Sequence, residues 1–135
     1  MNDTRVERFR RALEVPLLRF LRVTALDERD PAAGLSFVVG PDSLNAANAL
    51  HGGALATVLD VAAFAALLAE LDDTEQATTH AFSASYLAGA QAGDRAEAHA
   101  TVLRRTASLA FVTAEVMADS GLLATALVTK SIRRR

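Results

Sequence analysis

The 135-residue sequence contains no cysteine, so disulfides, zinc–thiolate sites and thiol nucleophiles are excluded together. A reducing compartment, the cytoplasm, is the expected setting. A basic excess is also missing: the net charge is −2, and the electrostatic attraction that dominates nucleic-acid binding has nothing to build on. The amino terminus, MNDTRVERFRRALEV, carries Asp3, Glu7 and four arginines and so lacks the apolar stretch of a signal peptide. The longest apolar run, Ala54 to Ala69, falls short of the roughly 20 residues that span a bilayer, and Asp60 interrupts it, so no membrane partner is expected. Neither a G-x-S-x-G elbow nor a phosphate loop occurs, which argues against a serine hydrolase or a nucleotide enzyme.

What is present fits one compact domain over residues 1–135, with 51% hydrophobic and 22% charged residues. Within residues 1–16, Val6, Phe9 and Leu13 form a narrow stripe that predicts a short surface helix over 3–13, closed by Pro16. The β-branched and leucine content of 17–28 and 34–39 predicts two strands paired as a hairpin. Residues 52–71 are proline-free and rich in alanine and leucine, and predict one long helix. Its faces are Leu55, Leu59, Ala62 and Ala66; Val58, Val61, Ala65 and Leu68; and Gly53, Thr57, Asp60 and Phe64. None of these is properly polar, so the helix should be covered nearly all round.

Beyond Thr78 the period changes to two, and four strands are predicted in a meander, with turns at 88–94, 105–108 and 119–121. An α+β architecture satisfies this pattern: a curved antiparallel sheet wrapped around one long central helix. One sheet covers only part of a helix, and the remaining apolar face predicts a homodimer.

Asp60 poses the chemical question, because a carboxylate among apolar neighbours is normally paired, hydrogen-bonded or protonated, and such groups concentrate at functional sites. The plainer alternative is a helix-rim residue capping a loop or meeting an arginine. His51-Gly52-Gly53 opens the same helix, where glycines permit close approach and the first N–H groups point outward as unsatisfied donors. A flexible loop-to-helix turn would also use two glycines. Gly52 and Asp60 lie eight residues apart, roughly 12 Å along the axis, so one carbonyl cannot touch both. If they cooperate, amide and carboxylate come from different subunits, as in two antiparallel helices across a twofold axis.

The motif N-x5-HGG-x6-D at Asn45, His51, Gly52, Gly53 and Asp60, followed by TTHAFSASYLAGAQAGD and GLLATALVTKSI, resembles the hotdog-fold acyl-coenzyme A thioesterases, particularly the phenylacetate-degradation type. The resemblance covers roughly residues 17 to 132. It implies that the Gly52 N–H receives the thioester carbonyl, while Asp60 of the other subunit acts as general base on water or as nucleophile. Asn45 and His51 would position the thioester or its loop, and Thr79 would help hold the attacking water. Two residues later these enzymes often carry an acidic residue where this chain has Ala81.

The expected activity is therefore hydrolysis of an acyl-coenzyme A thioester to a carboxylic acid and free coenzyme A, with no metal or redox cofactor, in a homodimer that the resemblance implies pairs into a dimer of dimers. The alternatives are a hotdog enoyl-thioester hydratase or dehydratase, and a non-catalytic acyl-coenzyme A binding module. His80 and His99 are expected to be ordinary strand histidines. Arg104, Arg105, Lys130 and the terminal arginines are expected to be solvated, with contact to coenzyme A phosphates as the alternative. Phe82 and Tyr86 are expected in the core.

Overall fold

The computed structural model describes residues 3–135. The predicted amino-terminal segment forms helix α1, Asp3–Leu13, and its first two residues lie outside the described range. Phe9 on its inner face is buried, so α1 docks on the body of the protein instead of standing free. The segment after it differs from expectation. Pro16 begins a second short helix, α2, Pro16–Phe20, and only Thr24–Ala25 forms a strand, β1. A proline is pre-set for the first helical position, and Leu18 and Leu21, three apart, both reach the core from a helical turn.

Strand β2, Leu35–Val38, pairs with β1 in the expected antiparallel sense, Thr24 opposite Ser36. Gly34 allows this entry. Its φ of 111° lies in the left-handed region, and an added Cβ would stand 2.7 Å from the Ala98 carbonyl oxygen.

The central helix, α3, spans Gly52–Leu68. Alanine and leucine carry it, His51 caps its start, and Leu55, Val58, Leu59, Ala62, Ala63 and Ala65 through Leu68 are buried. Deleting the side chain of Leu59, which is 0% exposed, should cost about 3 kcal/mol. The helix stops three residues earlier than expected: the Glu70 and Leu71 N–H groups turn to the carbonyls three residues back, at 2.8 and 3.3 Å, and arginines take the carbonyls beyond. Arg105 donates to Glu70 O, and Arg5 donates to Leu71 O at 3.0 and 2.7 Å.

Around α3 curves a six-stranded sheet in the order β1-β2-β4-β5-β6-β3, with β3 at Glu75–Tyr86, β4 at Arg95–Arg105, β5 at Leu109–Ala118 and β6 at Gly121–Arg134. Only β4-β5-β6 form the expected meander. Strand β3 pairs with β6, at the far edge, and β4 pairs with β2. Residues 88–94 thus cross from one side of the sheet to the other instead of turning a hairpin. This arrangement lets the sheet close around a helix: α3 lies against β4 and β5, with β3 and β6 on one side, and the small inward residues Ala96, Ala98, Ala110, Ala114, Ala124 and Ala126 leave room for it.

Candidate functional site

The placement of Asp60 begins with an irregularity in β3. Thr79 faces Lys130 and Ala81 faces Thr129, so His80 is an extra residue, a β-bulge. Odd-numbered positions face α3 before it, and even-numbered ones after it. Thr79 and Phe82 therefore both look onto the helix, with Tyr86 further along.

Asp60 projects from α3 into this row. Thr79 Oγ1 donates to Asp60 Oδ1 at 2.6 Å, Lys130 Nζ donates to the same oxygen at 3.0 Å, and Lys130 Nζ also donates to Thr79 Oγ1 at 2.8 Å. These contacts form a closed triangle of carboxylate, hydroxyl and ammonium. The Lys130 side chain is 4% exposed, whereas Asp60 is 37% exposed and opens onto a groove lined by Ala56, Thr57, Thr79 and Phe82. Oδ2 of Asp60 takes no hydrogen bond among the described residues. The carboxylate is thus paired on one oxygen and accessible on the other, a condition suited to proton abstraction or nucleophilic attack.

The other predicted residues gather at the start of α3. His51 Nδ1 accepts the Gly53 N–H at 2.8 Å, so its ring proton sits on Nε2. Ala54 and Leu55 N–H groups reach the His51 carbonyl. The Gly52 N–H makes no hydrogen bond among the described residues and remains an open donor at the positive end of the helix. Asn45 shapes the preceding loop, its Oδ1 accepting from Ala47 N at 2.9 Å and Ala49 N at 3.1 Å.

A second groove, lined by Leu17, Phe20, Leu44, His51, Gly53 and Thr57, meets the first at Thr57. One trough therefore follows the uncovered face of α3 from the helix start to Asp60. A larger depression of about 530 Å³ lies on the outer face of the sheet, among Ser83, Ser85, Thr101, Thr113 and Thr125. His99, paired with Glu97 at 3.1 Å on the surface, also lines it, but no buried cation anchors a carboxylate there as Lys130 anchors Asp60, and the trough along α3 is the better candidate on chemical grounds.

Asp60 and Thr79 lie side by side; His51 lines the opposite end of the trough, next to Gly52 in the chain, and Asn45 follows Leu44 of the same lining. Four placements differ from expectation: Arg105, expected to be solvated, is 22% exposed and pairs with Glu75 and the Glu70 carbonyl. Lys130 is buried beside Asp60, not solvated. Phe82 is half-buried and lines the groove. Tyr86 is 52% exposed, its ring 3.7–3.9 Å from where a Cβ on Gly52 would lie. The signal for Lys130 was available: along β6, Ala124, Ala126, Val128, Lys130 and Ile132 alternate inward, so the lysine occupies a core position in period. His80 meets Ser131 Oγ at 3.3 Å and His99 meets Glu97 at 3.1 Å, and no group of three or more histidine or acidic residues able to hold a metal occurs among the described residues.

Among the described residues, no helix is long and apolar enough to cross a membrane. A search of curated proteins returns no match. Solved structures do match. A phenylacetic acid degradation-related protein from Ralstonia eutropha superposes with a TM-score of 0.76 at 27% identity, covering 96% of this chain and 99% of that one. A variant of the phenylacetic acid degradation protein PaaI from Thermus thermophilus gives 0.75 at 25% identity over 86% of this chain and 97% of its own. A Bacillus halodurans protein solved with CoA shares the fold, with a TM-score of 0.78 at 20% identity over 97% and 84%. The family model described as Thioesterase superfamily matches residues 47–125, the stretch that holds α3, Asp60 and Thr79. With its curved sheet around one helix, the chain has the hotdog fold and belongs to the thioesterase superfamily.

Proposed function

We propose that the protein hydrolyses an acyl-coenzyme A thioester at a site composed by two copies of the chain. Water adds to the thioester carbonyl as its proton passes to Asp60 Oδ2. The tetrahedral intermediate then collapses with cleavage of the C–S bond, and the thiolate leaves and recovers that proton, giving one carboxylic acid and one free thiol. The Gly52 N–H of the partner subunit would receive the oxyanion, since an unspent amide at a helix start suits developing negative charge. Thr79 would hold Asp60 in place, and Asn45 and His51 would shape the turn that presents the amide.

The observation that carries this reading is an anchored carboxylate with one free oxygen, opening on a trough, in a chain of the thioesterase superfamily. Coenzyme A as the thiol is supported by the CoA bound in the Bacillus halodurans relative. Two features favour the dimer. Strand β3 leaves one backbone edge unpaired over Glu75–Tyr86 and carries neither proline nor lysine to discourage pairing. On the trough, Leu17 and Phe20 are 54% and 55% exposed, and Val61 and Phe64 on α3 are only half-buried. A dimer of dimers and a cytoplasmic setting belong to the same proposal.

The test is free-thiol release from a panel of acyl-coenzyme A substrates by the native protein and by Asp60→Asn and Asp60→Ala. Turnover by the native protein, lost in both variants while the dimer persists, is expected. Ligand binding without turnover would point to a binding module, and hydration of an enoyl thioester to a hydratase.

A further inference from the structure

The triangle contains a group that the hydrolysis does not use directly. Lys130 lies in the inward row of β6, between Val128 and Ile132, where every other member is apolar. Burying an ammonium there carries a desolvation penalty before any partner is counted. An aliphatic side chain would fill the position without that cost. What the lysine gains is two hydrogen bonds, both to groups that face the trough.

Without Lys130, Thr79 could bond either oxygen of Asp60, and the carboxylate could rotate about its own axis. With it, Oδ1 receives two donors, at 2.6 Å and 3.0 Å, whose directions fix the plane of the carboxylate. The hydroxyl is oriented as well. Because Thr79 Oγ1 accepts from Lys130, its own proton is directed to Asp60 and is not available to point elsewhere. The same contact excludes the hydroxyl from serving chiefly as a water donor, which modifies the part that the family resemblance implies for Thr79. It also supplies the polar support missing at Ala81.

We infer that Lys130 is a positioning residue of the active site: its buried ammonium locks Oδ1 of Asp60 and the Thr79 hydroxyl together, leaving Oδ2 as the oxygen that acts on the substrate water. This rests on the hydrolytic reading above. Lys130 acts through Asp60, and its own 4% exposure keeps it from touching substrate.

The experiment compares native protein with Lys130→Met and Lys130→Ala in steady-state thioester hydrolysis, using whichever acyl-coenzyme A the native protein turns over. Loss of orientation should lower kcat by about 10- to 100-fold with KM within about twofold of native. Lys130→Ala should recover part of the lost kcat in propylammonium and none in n-propanol at equal concentration. A cavity that merely needs filling would respond to both. Where the Met variant does not fold, Lys130→Gln, which keeps N–H donors without the charge, takes its place in the same comparison. Native kcat in the folded variants, or equal rescue by the alcohol, overturns the inference while leaving the hydrolytic reading standing. Absence of any turnover by the native protein overturns both.

Discussion

The two ends of α3 are built from the same helix and treated in opposite ways. At the carboxyl end, polar groups are gathered in: Arg5 holds the Leu71 carbonyl, Arg8 reaches the carbonyls of Asp72 and Glu75, and Arg105 bridges Glu70 O and the Glu75 carboxylate, whose side chain is only 8% exposed. At the amino end, one amide is capped by His51 and the next one outward, that of Gly52, is left open. The contrast separates structural from functional polarity. The carbonyls past the carboxyl end are held within the fold, whereas the amino end leaves a donor open to a ligand.

The largest effect should come from closing the open end without disturbing the fold. Gly52→Pro removes the N–H at the first helical position, where proline is well accommodated, and His51 already has the extended backbone that proline demands, with ψ 135°. Thioester hydrolysis should fall about 100- to 1,000-fold with thermal stability near native. Gly52→Ala, whose Cβ would meet only the Tyr86 ring at ordinary contact distance, should keep most activity. Equal activity in both variants would erase the contrast.

At the gathered end the reverse is expected. Arg105→Ala leaves Glu75 buried without its partner and should cost about 3 kcal/mol in urea unfolding, with activity per folded molecule unchanged. A smaller effect follows at the cap: His51→Ala should lose about 1 kcal/mol and His51→Asn should recover most of it. If His51→Ala instead abolishes turnover at native stability, the ring does more than cap.

The smallest effect is a pH dependence. The hydrogen bond from Arg105, with a further one from the Asp72 N–H, holds the Glu75 carboxyl below its ordinary value of 4.5. Its stabilisation is therefore fully present above that value and is lost as pH falls through the lower folded-state value. The difference in Tm between native protein and Glu75→Gln should be constant above about pH 5 and shrink in more acidic solution. A difference independent of pH would remove Glu75 from the account.

Much of this was legible in the sequence because it depends on local pattern. Alanine and leucine without proline mark α3, period-two alternation marks β4 to β6, and an acid in an apolar run marks Asp60. What escaped depends on partners distant in the chain. That the segment from Leu17 opens in a helical turn begun by Pro16 and not in a strand follows from Leu18 and Leu21 reaching a common core. The segment that follows α3 is held by arginines on α1 and β4. The bulge at His80, which aligns Thr79 with Asp60 and Phe82 with the groove, leaves no mark in a strand of alternating small residues. Lys130 was obscured by its neighbours: grouped with the arginines that follow, it reads as part of a charged tail, and only its parity with Val128 and Ile132 separates it.

The edge position of β3 has a consequence for biosynthesis. Its partner strand lies beyond the whole β4–β5 hairpin, so a nascent chain exposes Glu75–Tyr86 with nothing to pair against until the segment carrying Lys130 has cleared the ribosome. Asp60 meets both of its hydrogen-bonding neighbours only when that late arrival slots in. Formation of the Asp60–Thr79–Lys130 triangle and completion of the sheet thus coincide.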